Sequence, residues 1–276
     1  MSLQRLLQRS RPRFWLYLAG PVLVGLVYGV DATASLFDPL AVALFAYFLV
    51  PANVLLYGVN DVFDADVDVH NPKKEGREVR YRGERGLVVA VVASGLLGLA
   101  LAAFLPPLAV AWLAAFFFLA VEYSAPPLRF KTTPFLDSAS NGLYVVPGVV
   151  AYVVVTGQNP PVLAVVGGWL WTMGMHTFSA IPDIDPDRAA GITTTATVLG
   201  ERPTYAYCGV VWAASAAAFW LLDPRAGALL ALYPALVAVV ALSRVGVDRA
   251  YWWFPGINGA VGMVLTLGGL WRLVYA

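Results

Sequence analysis

Long apolar runs, without alternation, set the pattern of this chain. Nine can be read, at about 14–30, 40–58, 86–104, 108–122, 134–155, 161–180, 203–221, 226–243 and 256–274. Each comes near the roughly 20 apolar residues that a helix needs to cross a bilayer core. A helix satisfies its own backbone hydrogen bonds and so suits lipid. A transmembrane barrel would instead alternate apolar and polar positions with period two. The pattern predicts an all-α, polytopic membrane protein with nine transmembrane helices. Proline pairs, such as Pro106-Pro107 and Pro160-Pro161, punctuate the connectors.

Where the second run ends, Asn60-Asp61-Val62-Phe63-Asp64-Ala65-Asp66-Val67-Asp68 places four carboxylates within eight residues. Such charges repel one another and are costly beside hydrocarbon unless something compensates them. At about 100° per residue, Asn60, Asp61, Asp64 and Asp68 share roughly a quarter of a helix surface, and Asp66 points away. A cation, Mg²⁺ before others, held by carboxylate oxygens and substrate phosphates, accounts for that stripe. A solvated helix face is the alternative. Asn53 and Tyr57 continue the stripe toward the membrane interior, which suggests a cavity.

A second acidic segment, Asp183-Ile184-Asp185-Pro186-Asp187-Arg188, ends the sixth run. Asp183 and Asp187 are spaced to share a face. His176, seven residues earlier, lies on nearly the same face if Pro182 leaves the register intact. The loop after the first acidic segment carries Lys73, Arg77 and Arg80, cations suited to a diphosphate or to anionic lipid. His70 reads as a loop residue. After the fourth run the prolines of Glu122-Tyr123-Ser124-Ala125-Pro126-Pro127 break the helix. Arg129 and Lys131 then fall at the rim, where they neutralise a leaving group or snorkel to headgroups. The fifth run carries Asp137 and Asn141 on one face, with Tyr144 a turn on; these line a cavity or hydrogen-bond between helices. Tyr57, Tyr123 and Tyr144 offer aromatic faces to a hydrocarbon cation, or serve in packing.

Charge distribution adds an orientation. With the N-terminus in the cytoplasm, all of the 18 lysines and arginines except Arg225 and Arg272 fall in cytoplasmic segments, as the positive-inside rule requires. Both acidic segments then lie on that side, and the far side is short turns. A transporter would spread polar residues along a path to both faces. Composition agrees: 59% of residues are hydrophobic and 13% charged, against about a quarter charged in soluble domains. A net charge of +1 gives no footprint for nucleic acid. The one cysteine, Cys208, excludes an internal disulfide and a cysteine-cluster metal site. The basic start, Met1 to Arg13, has no signal-peptide cleavage pattern after it and reads as a cytoplasmic lead-in. The chain, 1–276, reads as a single domain of the cell membrane, with the N-terminus and acidic loops cytoplasmic.

Facing carboxylate clusters would hold metal ions bridged by a diphosphate, and arginines and lysines would stabilise the charge that develops as it departs. A hydrophobic cavity then shelters the hydrocarbon cation left behind. The reaction class is transfer of a prenyl group from an isoprenyl diphosphate donor to a lipophilic acceptor.

At these residues the chain resembles the UbiA-type intramembrane prenyltransferases. Asn60 to Asp68 looks like their NDxxDxxxD motif. Asp183 to Asp187, followed by Arg188, Gly191 and Thr194, looks like their DxxxD motif. The resemblance implies nine helices around a central cavity with a cytoplasmic cap, Mg²⁺, and a prenyl diphosphate donor. It makes Asn60, Asp61, Asp64, Asp68, Asp183 and Asp187 the metal and diphosphate residues. Asp64 and Asp183 stand at the centre of catalysis, and Asn53, Tyr57, Asn60, Lys73, Arg77, Arg80, Tyr123, Arg129, Lys131, Asn141 and Arg188 line the substrates. The family's YxxxK element is not matched, since Arg129 and Lys131 follow Tyr123 at longer spacing. Asn71 to Glu78 and His176 to Asp185 look most like the carotenoid branch, the lycopene elongases and hydratases. There a dimethylallyl cation adds to a double bond of the acceptor, and the resulting tertiary cation loses a proton or takes water. His176 or Asp137 would take that proton. Rival acceptors are an aromatic quinone precursor and a lipid alcohol; rival functions are a lipid diphosphate phosphotransferase and a membrane transporter.

Overall fold

Each of the nine apolar runs is helical, and among the described residues there is no strand. The structure, a computed structural model, describes residues 3–64, 81, 83–243 and 246–275. In chain order the helices are α1 (Leu3–Arg9), α2 (Trp15–Gly29), α3 (Pro39–Leu49), α4 (Pro51–Phe63), α5 (Arg85–Ala102), α6 (Pro107–Glu122), α7 (Leu136–Ala139) and α8 (Val146–Thr156). There follow α9 (Val162–Ala180), α10 (Ile184–Ala189), α11 (Thr195–Leu199), α12 (Glu201–Trp220), α13 (Pro224–Leu230), α14 (Leu232–Leu242) and α15 (Val247–Tyr275). Among the described residues, five stretches are long and apolar enough to cross a membrane: Pro39–Phe63, Arg85–Ala102, Leu136–Thr156, Pro224–Leu242 and Arg249–Tyr275. The all-α expectation holds; of the nine expected crossings, these five meet the requirement by length and apolarity.

The chain divides into two compact units. The first comprises Met1–Leu128, Val146–Asn159 and Thr266–Ala276. Within it α2 and α8 meet through glycine. A Cβ on Gly148 would stand 2.7 Å from the Pro21 carbonyl oxygen, and one on Gly25 would run into the Gly148 carbonyl. Close backbone approach through small residues is the usual way that helices pack in lipid. Asp38 caps α3, accepting from the Leu40 amide at 2.8 Å, with Pro39 at the first helical position. The second apolar run breaks between α3 and α4, where Pro51 has no N–H to give. Asn53 bridges that break: its Nδ2 donates to the carbonyls of Phe48, at 2.9 Å, and Leu49, at 3.0 Å.

The second unit comprises Arg129–Val145 and Pro160–Leu265. Here α9 and α12 lie against each other, Gly174 accommodating the Trp212 indole and Gly167 the Phe219 ring. The Ser215 hydroxyl donates to the Gly167 carbonyl at 2.7 Å, and Trp212 Nε1 donates to the Trp171 carbonyl at 3.0 Å. Phe178, Trp212, Tyr233 and Phe254 form its aromatic core, with Trp212 stacked on Phe254 at 5.8 Å. The fifth apolar run opens in this unit as the single turn α7 and a 3-10 segment, Ser140–Tyr144, before α8 begins. The backbone there hugs the Trp169 indole at Gly142, where a Cβ would overlap the ring.

Candidate functional site

The first acidic segment sits at the C-terminal end of α4. The helix stops at Phe63, and Asp64 caps it, its N–H donating to the Asn60 carbonyl at 3.0 Å. Asp61 is 3% exposed and Asp64 4%. A helix C-terminus carries partial negative charge, so carboxylates buried there need cations. Two come from the N-terminal stretch. Arg9 Nη1 donates to Asp61 Oδ2 at 3.3 Å, and Arg11 Nη2 donates to Asp61 Oδ1 at 3.2 Å. Arg9 also forks onto both Glu84 oxygens, at 3.0 and 2.9 Å. Asn60 Nδ2 donates to the Ser124 hydroxyl at 3.0 Å, joining α4 to the end of α6.

Several of the expected site residues make contacts with the chain itself. Tyr57, expected to face a substrate cation, has the Arg11 guanidinium over its ring, 4.6 Å from the centroid. The cation its face meets is a residue of the chain. Asn53, expected to line the substrate, is fully buried with its amide N–H groups committed to the helix break. Asp61, expected to ligate metal, has both carboxylate oxygens engaged by arginine. Of the stripe, Asn60, Asp61 and Asp64 fall within the described residues. Asp68 and Asp66, with His70, Lys73, Arg77 and Arg80, lie outside them. Tyr123 is the C-cap residue of α6.

The second acidic segment follows α9 after a change of helix type. Pro182 takes the chain through a 3-10 turn, Ile181–Asp183, into α10, which holds Asp185 and Asp187. Asp183 and Asp187 are half-buried and Asp185 is exposed, as their spacing predicts. Arg188, expected to bind substrate, has Nε and Nη2 donating to the Thr197 carbonyl, at 3.1 and 2.6 Å. It thereby ties α10 to α11, whose start carries a capping box between Thr194 and Thr197. Arg129 and Lys131 flank Phe130 in a 3-10 turn, both half-buried, with Arg129 in the left-handed region at φ 42°.

Asp137 is 0% exposed. Its Oδ2 accepts from the Thr195 amide at 3.0 Å, and its Oδ1 accepts from the Thr195 hydroxyl. The Thr195 hydroxyl oxygen also accepts from the Phe135 amide at 2.7 Å. Asn141 Nδ2 donates to the Asp137 carbonyl at 2.6 Å, within the local turn. His176 Nε2 stands 3.8 Å from Asp137 Oδ2. Sequence reading missed Arg9, Arg11, Glu84 and Thr195. The arginines were visible only as part of a basic lead-in, because nothing local links them to a carboxylate about 50 residues away.

Every acidic donor in both segments is a carboxylate oxygen, the hard ligand that suits Mg²⁺ and not a softer metal. Among the described residues no three His, Cys, Asp or Glu side chains cluster tightly enough to cage an ion by themselves.

The sequence profile of the UbiA prenyltransferase family matches residues 18–271. A Haloferax volcanii protein named lycopene elongase/hydratase is 68% identical over 265 residues, covering 96% of this chain and 88% of that one. A Halobacterium salinarum protein of the same name is 62% identical over 266 residues, covering 96% and 97%. A solved UbiA homolog from Archaeoglobus fulgidus, bound to DMAPP and Mg²⁺, aligns with a TM-score of 0.75 at 19% identity, covering 99% of this chain and 100% of that one. At that identity the likeness shows the fold.

Proposed function

Because this chain belongs to the UbiA prenyltransferase family, we propose that it transfers the five-carbon group of dimethylallyl diphosphate to an end of lycopene, with or without addition of water. One observation carries the acceptor: identity of 68% across 96% of the chain to a lycopene elongase/hydratase. The protein crosses the membrane nine times, with its N-terminus and both acidic segments on the cytoplasmic side. Asn60, Asp64 and Asp68 in the first segment and Asp183 and Asp187 in the second supply oxygen ligands to Mg²⁺ and order the donor's diphosphate. Bound Mg²⁺ neutralises charge on the departing diphosphate. Arg9 and Arg11 pair with Asp61 and fix the end of α4, which presents Asp64. Arg129, Lys131 and the cations Lys73, Arg77 and Arg80 add positive charge on the diphosphate side. The apolar interior keeps water from the cation until the acceptor's double bond has attacked it.

Expression in a lycopene-producing host tests the reading, with pigments identified by mass. The expected result is lycopene converted to products heavier by one or two five-carbon units, some with water added. Asp64→Ala or Asp183→Ala should lower turnover by about 100-fold or more while the protein still inserts. EDTA should abolish turnover of purified protein, and excess Mg²⁺ should restore it. Unchanged lycopene beside a prenylated quinone precursor would overturn the acceptor.

A further inference from the structure

Quenching the acceptor cation releases one proton, and the second unit holds a pair of side chains arranged to take it. Asp137 is not itself the acceptor. Fully buried, it has one oxygen on the Thr195 amide and the other on the Thr195 hydroxyl. Those two donors fix the orientation of the carboxylate. His176 is different: its side chain keeps 19% of its surface exposed while Nε2 faces Asp137 Oδ2 at 3.8 Å. A fixed carboxylate beside one ring nitrogen orients the imidazole.

Position supports the same role. His176 stands on α9, seven residues before Asp183, a rise of about 10 Å along a helix. The imidazole is therefore set back from the acidic turn, toward the apolar part of the chain, where a hydrocarbon cation would rest and not the diphosphate. Thr195, which locks Asp137, follows the acidic segment by the short link that Arg188 pins to Thr197. His176 and Thr195 thus lie on the same stretch of chain as the diphosphate-side segment, and Asp137 joins them from α7.

We propose that His176 is the general base of the reaction and that Asp137 is its positioning residue; this rests on the prenyl-transfer reading above. The donor's C–O bond breaks, and its electron pair leaves with the diphosphate. The acceptor's terminal double bond supplies the pair for the new C–C bond, leaving a tertiary cation. Either a neighbouring carbon gives up a proton, forming an alkene, or water adds and its oxygen gives up a proton, forming an alcohol. In both cases the His176 imidazole takes that proton, with Nε2 on the side of Asp137.

The test compares wild type with His176→Gln, His176→Ala and Asp137→Asn. Ser215→Ala, which loosens the same α9–α12 pair, serves as a packing control. Donor affinity, release of diphosphate without acceptor, elongated product and the alkene-to-alcohol ratio are each measured. His176→Gln should keep donor affinity and diphosphate release but lose elongated product by about 100-fold. Added imidazole should restore part of that loss in His176→Ala, a response that a packing defect would not give. Asp137→Asn should shift the alkene-to-alcohol ratio, and Ser215→Ala should leave it unchanged. Elongation at the wild-type rate and ratio in His176→Gln overturns the base assignment alone. So does loss in His176→Ala that imidazole leaves untouched and that Ser215→Ala reproduces. Wild-type protein that leaves lycopene unaltered overturns the acceptor reading and this inference together.

Discussion

At the scale of single residues the decisive fact is how the charge on Asp61 is met. Arg9 is buried, with one nitrogen on Asp61 and another on Glu84. Removing one member of a buried ion pair costs about 3–5 kcal/mol, because the charge left behind is poorly solvated. Arg11 still holds Asp61, so the lower end of that range applies to Arg9→Met, read as a fall in thermal stability in detergent. Arg9→Met combined with Asp61→Asn should be more stable than the sum of the single changes implies. Strict additivity would show that the two side chains do not depend on each other. This link was not legible in the sequence. The spacing of Asn60, Asp61 and Asp64 announces a shared face, but a contact between positions 9 and 61 arises only when α1 folds against α4. The Asp137–Thr195 bond was hidden for the same reason, 58 residues apart. In both places a buried carboxylate meets a partner far away in the sequence.

At the scale of elements, apolar runs predicted helices well because the hydrocarbon requirement is strong and uniform. The interruptions were less visible. Pro51 breaks a run, yet Pro21 and Pro255 sit inside α2 and α15. Whether a proline interrupts depends on what repairs the freed carbonyls, and at Pro51 the repair is Asn53. The fifth run divides at Ser140–Tyr144 because the backbone must pass the Trp169 indole, a contact that periodicity cannot encode. Glycine gives the element-scale prediction. Gly148→Ala places a methyl 2.7 Å from the Pro21 carbonyl oxygen, where α2 and α8 cannot separate without losing their packing. The expected loss is about 1–3 kcal/mol. Gly20→Ala, on α2 with nothing within 4 Å of the new carbon, should be neutral or stabilise by about 0.5–1 kcal/mol. Equal melting temperatures for the two variants would sink the close-packing account.

At the scale of the molecule, the question is which way the chain faces. The argument rests on charge: nearly every lysine and arginine falls in segments that an odd number of crossings would place together with the N-terminus. A chemical map can decide it, because the one cysteine, Cys208, is buried and contributes little background. In intact cells a membrane-impermeant maleimide should label Arg225→Cys, an exposed position at the start of α13. It should reach Asp185→Cys, exposed on α10, only after the cells are opened. That outcome puts the second acidic segment on the side where a water-soluble diphosphate donor is made and where its diphosphate can be released. Labelling of Asp185→Cys in intact cells would reverse the topology. The acidic segments would then face a compartment that offers them no donor, and the charge argument would fail with the orientation.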